Sequence, residues 1–368
     1  MRKTVWDDLP QDIASRILGK LAWSERARLC LVCKSWRQFF YEIKNTKEFL
    51  PWIFYFSTDP IRSVIVCKLC DPFTQRSYKV KDAAIMKNRN FSYFTNLVAC
   101  DSRYGWVLFS ENIYGINFFF YNPFSNKIIE LPRMERATCY RESTFTLSPS
   151  SPVESATCYR ESTFSLSPSS PGCTVISFFI LRDGKLVIAT CQPGDESWKM
   201  FEFLGDYKYN SIRDVAYADE SFYCTFVEGK MGAFNIKQQE WKVVIESLQG
   251  SGNCYLDLVV AYDGDLLLYW GTRVDDAIHT YCWRFDLSEK KWIESKKKQV
   301  IFEKCTSFSV PALKNAKECE GDYYSAGSSY RTKPNYKWTL EDDNTHFLRR
   351  IWIQPPFQCS SELVPEDI

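Results

Sequence analysis

Histidine is almost missing: the 368 residues contain two, His279 and His346. A Ser-His-Asp or Cys-His arrangement would have to use one of them. His279 falls in a stretch that reads as a loop, "RVDDAIHTY", and His346 lies in a polar region. No H-E-x-x-H, G-x-S-x-G, Walker A or G-x-G-x-x-G pattern occurs, so zinc proteolysis, acyl transfer and phosphate or dinucleotide cradling lack their usual residues. An enzyme is not expected, and no cofactor is called for. Also lacking is an excess of charge of either sign. With 46 basic against 45 acidic residues the net charge is +1, which gives no argument for nucleic acid or an anionic membrane as partner. No apolar run approaches the roughly eighteen residues of a membrane span. The opening "MRKTVWDDLPQD" has no apolar core of a secretory signal. A soluble protein of the nucleus and/or cytoplasm is the expectation.

Cysteine, by contrast, is abundant. Fifteen of them are spread along the chain, and an odd, evenly scattered set in an intracellular protein argues for reduced thiols rather than a disulfide framework. Cys30/Cys33 and Cys67/Cys70 have the spacing of zinc-binding pairs. The first pair, however, is embedded in an apolar helical stripe. Both pairs are therefore read as buried structural thiols, and no metal is expected.

Apolar residues make up 45% of the chain and aromatics 16%, enough for a substantial core. The first fifty residues are patterned as three short helices. Pro10 suits a first helical turn, and Ile13, Ile17, Leu18 and Leu21 then form one apolar face. Ser24 is a plausible N-cap for a second helix bearing Ala27, Leu29 and Cys30. A third carries Val32, Trp36, Phe39, Phe40 and Ile43. Pro51 ends the helical region. So small a unit cannot bury all these side chains within itself, and an apolar patch left over marks a partner site.

Beyond Pro51 the texture is that of strands. Runs such as "GWVLF", "NFFFYNPFSNKIIELP" and "VISFFILRDGKLVIAT" alternate with turn signals. Arg182–Asp183–Gly184–Lys185, Glu228–Gly229–Lys230 and Asp263–Gly264–Asp265 read as hairpin turns. Outer-strand tryptophans recur at Trp198, Trp241 and Trp292, separated by 43 and 51 residues. Those intervals suit four-stranded propeller blades; a β-sandwich would not explain so long a period. "FLRRIWIQPPF", near the end, could pair with the segment just after the helices and close the ring. At about 45 residues per blade, the remaining length allows six or seven.

One repeat is of a different kind. "ERATCYRESTFTLSPSSP" (135–152) recurs nineteen residues later as "ESATCYRESTFSLSPSSP" (154–171), with sixteen of eighteen positions identical. Near-identity at so short a period indicates a tandem duplication. The second copy runs directly into "GCTVISFFI" and is expected to hold the strand position, leaving the first as an extra connection between blades.

The opening residues resemble an F-box: Leu9–Pro10, the Ile13/Ile17/Leu18 stripe, Leu21, then "LVCKSWRQF" with Val32, Cys33 and Trp36. Ala22 stands where the family usually has proline. The rest resembles the KIB-type β-propeller that follows F-boxes in plants, through "GWVLF", "FFFYNPFSNKIIELP", "DESFYCTFVEGKMGAFN", "SFSVP" and "WIQPPF". The resemblance implies an F-box over 1–50, a propeller over 51–358 and a polar tail over 359–368, with the duplication (135–171) in a connection between blades. It implies a Skp-type adaptor as partner and, through it, a cullin. The adaptor-facing residues would be Leu9, Pro10, Ile17, Leu18, Leu21, Val32, Cys33 and Trp36. The chain would be the non-catalytic substrate receptor of a ubiquitin ligase, holding an unknown protein substrate. The rival expectation is a binding or scaffold propeller with a degenerate F-box and no ligase.

Overall fold

Four consecutive residues, Phe118, Phe119, Phe120 and Tyr121, are completely buried. Successive side chains of a strand point to opposite faces, so both faces of this sheet are covered. Propeller blades meet that condition, each being packed between two neighbours. The computed structural model describes residues 10, 13, 16–17, 51–59, 64–71, 76–80, 83, 85, 97–112, 116–134, 160–181, 183–208, 211–246, 255–261, 264–274, 277–295, 299–303, 308–311, 323–325, 349–355 and 363–365.

Among the described residues the strands form five sheets, and we number both strands and blades along the chain. Blade 1 contains β1 (Trp52–Asp59), β2 (Val64–Asp71) and β3 (Arg76–Val80). Blade 2 is β4 (Leu97–Arg103), β5 (Trp106–Asn112), β6 (Ile116–Asn122) and β7 (Lys127–Glu130). Blade 3 is β8 (Arg160–Phe164), β9 (Val175–Ile180), β10 (Leu186–Cys191) and β11 (Lys199–Phe203). Blade 4 is β12 (Ile212–Ala218), β13 (Ser221–Phe226), β14 (Met231–Asn235) and β15 (Glu240–Ile245). Blade 5 begins with β16 (Tyr255–Val260), β17 (Leu266–Val274), β18 (Ala277–Asp286) and β19 (Lys291–Glu294). Three further strands extend it beyond β16: β20 (Gln299–Glu303), β21 (Phe308–Pro311) and β22 (Tyr323–Ser325).

Two strands from the far end of the chain return to blade 1. In β23 (Arg349–Ile353), Ile353 pairs with Trp52 and Ile351 with Phe54. β24 (Leu363–Pro365), within the last ten residues, adds to the outer edge of β3. The expected pairing between "FLRRIWIQPPF" and the segment after the helices is therefore present. The inner strands β23, β4, β8, β12 and β16 lie side by side in that order.

The blade count corrects the expectation of six or seven. Dividing length by period assumes that every residue after position 50 belongs to a blade. Here the duplicated element separates β7 from β8, and β20–β22 enlarge the fifth sheet instead of forming one of their own. The second copy does hold the strand position, since it contains β8. The first copy lies outside the described residues.

Strict alternation along the strands feeds two different cores. Val107, Phe109, Phe119 and Tyr121 pack toward blade 1 with Phe54, Leu69, Tyr78, Ile351 and Ile353. Leu108, Phe118 and Phe120, from the same strands, pack toward blade 3 with Phe164, Val175 and Phe179. Blades 3 and 4 share Phe178, Ile188, Phe222 and Phe234. Blades 4 and 5 share Tyr223, Met231, Leu268 and Phe285. The hairpins follow their glycines: Gly184, Gly229 and Gly264 have φ of 82°, 80° and 92°, a left-handed conformation that costs glycine little.

The three periodic tryptophans sit on or just before outer strands, as their spacing predicts. Trp198 donates to the Pro132 carbonyl at 2.7 Å and Trp241 to the Tyr207 hydroxyl at 2.8 Å. Each reaches back to the connection from the preceding blade. The Tyr207 and Trp241 rings rest on glycines: a Cβ at Gly205 would strike the Tyr207 ring, and one at Gly232 the Trp241 ring. Because Trp241 is also held by its N–H and by Phe178 at 5.8 Å between ring centroids, it cannot simply swing away. Gly232→Ala is expected to lower stability by ~1–3 kcal/mol, the usual range for overpacking, measured by chemical denaturation. An unchanged midpoint would refute the latch.

Candidate interaction surfaces

Acidic residues occur on the inner strands, and two of them tie adjacent blades together. Asp101, 6% exposed, sits at a bulge in β4. Its carboxylate accepts from the Thr163 hydroxyl of blade 3, from the Ser102 amide at 2.7 Å, and from Arg103 Nε at 3.3 Å. Burial pushes its pKa up. Arg103, the Thr163 and Ser102 hydrogen bonds, and one from the Phe164 amide pull it back. Ser102 donates from its hydroxyl to the Trp352 carbonyl, joining blade 2 to the closing strand. Asp214, at the corresponding bulge of β12, accepts from the Leu258 amide at 2.7 Å and so joins blade 4 to blade 5. These carboxylates serve as inter-blade ties, with their hydrogen-bonding capacity directed at structure.

Arg103 also reaches past blade 3: its Nη1 donates to the Tyr217 carbonyl of β12 at 3.3 Å. This defines one end of the ring. Tyr104, 46% exposed, donates to the Ser165 carbonyl at 3.3 Å beside Leu166, which is 38% exposed. The β12–β13 turn, Asp219–Glu220, has positive φ at both residues. Glu220 accepts two hydrogen bonds of 2.8 Å from Lys237. That exposed pair contributes little to stability but fixes the charge pattern near Tyr217, whose pKa is raised by burial first and then by Glu220. The end thus offers an aromatic and an aliphatic side chain beside mixed charges.

Of the adaptor-facing residues expected from sequence, Pro10 is exposed and Ile17 half-buried. The Ile13 amide donates to the Pro10 carbonyl at 3.1 Å, placing Pro10 in a first helical turn. Leu9, Leu18, Leu21, Val32, Cys33 and Trp36 lie outside the described residues. Ile13 is 38% exposed, an aliphatic side chain turned to solvent on that helix.

The reading of buried thiols holds for one of the two pairs. Cys67 and Cys70 are both buried on β2. Three residues apart on a strand, they point to opposite faces and cannot chelate one ion. Burial pushes the Cys67 thiol up to about 12, so the free thiol stays protonated and unreactive. Cys30 and Cys33 lie outside the described residues. One sequence expectation is corrected: His279 belongs to β18, with Thr272 as its cross-strand partner, because β18 already begins at Ala277. His346 lies outside the described residues. The ties made by Asp101 and Asp214 were not anticipated. The available signal was an aspartate inside an otherwise apolar strand a few residues ahead of a tight turn, as in "ACDSRYG".

A ring of antiparallel blades closed by a C-terminal strand is a β-propeller, here preceded by a short helical segment. Residues 52–325 match the KIB1-4 beta-propeller family model, and the chain belongs to that family. Residues 6–44 match the F-box-like model. The chain is similar to "F-box/kelch-repeat protein At1g57790" of Arabidopsis thaliana, at 21% identity over 96% of each chain. It is also similar to "F-box protein At3g56470" of the same plant, at 22% identity over 78% of this chain and 69% of that one. A putative 6-phosphogluconolactonase structure from Bacteroides uniformis aligns at 12% identity over 66% of this chain and 81% of its own, with a TM-score of 0.34. That likeness is too distant to bear on function. Together the matches identify a plant-type F-box protein with a KIB propeller.

Proposed function

We propose that this protein is the substrate-recognition subunit of a Skp–cullin–F-box ubiquitin ligase. The observation that carries the proposal is the order of the two matches: an F-box-like segment at 6–44 followed within a few residues by a propeller from 52. In this reading the helices dock a Skp-type adaptor through Leu9, Pro10, Ile17, Leu18, Leu21, Val32, Cys33 and Trp36. The propeller holds a protein substrate, and the ring end bearing Tyr104 and Leu166 is the surface offered to it. The chain contributes no chemistry. It raises the effective concentration of substrate lysines near the charged conjugating enzyme.

Co-purification with a plant Skp-type adaptor, wild type beside Trp36→Ala, tests this. A buried interface tryptophan costs upward of ~2 kcal/mol when truncated, about thirtyfold in Kd, so the mutant complex is expected to be lost on washing. The propeller's unfolding midpoint, unchanged in the mutant, reports that the chain is folded. A folded wild-type chain that ignores the adaptor would favour the scaffold reading.

A further inference from the structure

The duplicated element gives the chain two sequences for one strand. Residues 141–145, "RESTF", are identical to β8. Every side-chain contact that β8 makes can therefore be reproduced by the first copy: Thr163 donating to Asp101, Ser162 donating to Ser177 at 2.9 Å, and Phe164 buried edge-on against Phe120 at 4.9 Å. Ser165, whose hydroxyl accepts from the Thr174 amide at 2.9 Å, is replaced in the first copy by Thr146, and the hydroxyl is kept.

We propose that the two copies compete for this position, so that residues 141–145 can replace Arg160–Phe164 as the inner strand of blade 3. The loop lengths make the exchange nearly free of entropic cost. As described, the chain spends residues 131–159 before the strand and 165–174 after it. In the exchanged threading these become 131–140 and 146–174, the same two lengths in reverse order. Loop closure depends only on the logarithm of length, so the two terms cancel.

What favours the second copy is the turn that follows it. The Cys173 amide donates to the Ser170 carbonyl at 3.3 Å, and Gly172, after Pro171, has a φ of 80°. This is the pattern of a type II turn, which requires glycine at that place. The first copy is followed by Val153, a β-branched residue strongly disfavoured at positive φ. The described threading is accordingly the major one and the exchanged threading the reserve. Exchange carries nineteen residues rich in Ser-Pro from the connection entering blade 3 to the loop between its first two strands, at the ring end where Tyr104 meets Ser165. The surface offered to a partner there changes without any change in the core.

Full-length variants test the idea. Phe164→Glu blocks the second copy, and Phe145→Glu the first. Phe164→Glu alone is expected to remain cooperatively folded, with Tm lowered by roughly 2–4 °C, whereas the chain carrying both substitutions shows no cooperative transition. Ser143→Cys with Ser177→Cys, placed in the Phe164→Glu background and oxidised, is expected to cross-link, as peptide mapping would show. Ser162→Cys with Ser177→Cys is the wild-type control, since those residues are strand partners. The proposal is overturned if Phe164→Glu unfolds the chain as completely as the double substitution. It is equally overturned if Phe164→Glu is folded but the 143/177 pair stays unlinked while the 162/177 control cross-links.

Discussion

A chain ending at residue 348 is expected to be soluble only in traces and to show no cooperative thermal transition by circular dichroism. The deletion removes β23, which is both the inner strand of blade 1 and its neighbour to β4. Ile351 and Ile353 are completely buried and Trp352 is 4% exposed. Large-to-small changes at such sites cost ~2–5 kcal/mol each. Three together reach ~6–15 kcal/mol, the whole stability of an ordinary domain. The register partners Trp52 and Phe54 of β1 would be left on an open, apolar sheet edge, the kind that recruits other chains. A truncated chain melting cooperatively near the wild-type midpoint would show that the ring does not depend on closure.

Replacing Asp101 with alanine is expected to cost about 3–5 kcal/mol, the range for removing one partner from a buried charged network. The Thr163 hydroxyl, the Ser102 amide and Arg103 Nε would all lose their acceptor, and buried donors without acceptors cost ~1–3 kcal/mol apiece. The carboxyl should also leave a signature in pH. Burial raises its pKa, so the native state holds that proton more tightly than the unfolded chain does. The resulting stabilisation is complete below the unfolded value of ~3.9 and is lost as pH climbs through the raised native value. Asparagine does not titrate. The stability of wild type relative to Asp101→Asn is therefore expected to fall as pH rises above about 4, as urea titrations at several pH values would show. A constant difference would mean that the native pKa of Asp101 is not raised.

The propeller was legible because its signals are local. Hairpins at Gly184, Gly229 and Gly264 need positive φ, and the tryptophans recur because blades 3, 4 and 5 each pack one against the blade before. Blade 1 was harder to see, since it joins strands from the start of the family domain to two that lie beyond its end, and "FLRRIWIQPPF" was its one outward sign. The turns at Tyr104–Gly105 and Asp219–Glu220 carry weaker signals; the latter takes positive φ without glycine. The aspartates themselves, Asp101 and Asp214, stood out in their strands, but the ties they make did not, for a different reason. Each joins residues 44 to 62 positions apart, and nothing in the spacing of one strand announces a hydroxyl or an amide in the next blade. On the helical side the sequence carries the reading, through the stripe from Leu9 to Trp36.

Closure by a strand from the end of the chain also sets an order of events during synthesis. β1 leaves the ribosome long before Arg349 is translated; at ~5–20 residues per second the delay is on the order of 15–60 s. Throughout that interval the F-box-like segment is already out, while blade 1 still waits for its inner strand. A message cut short anywhere in blade 5 would thus yield a product that carries its F-box-like segment but leaves blade 1 without β23 and β24.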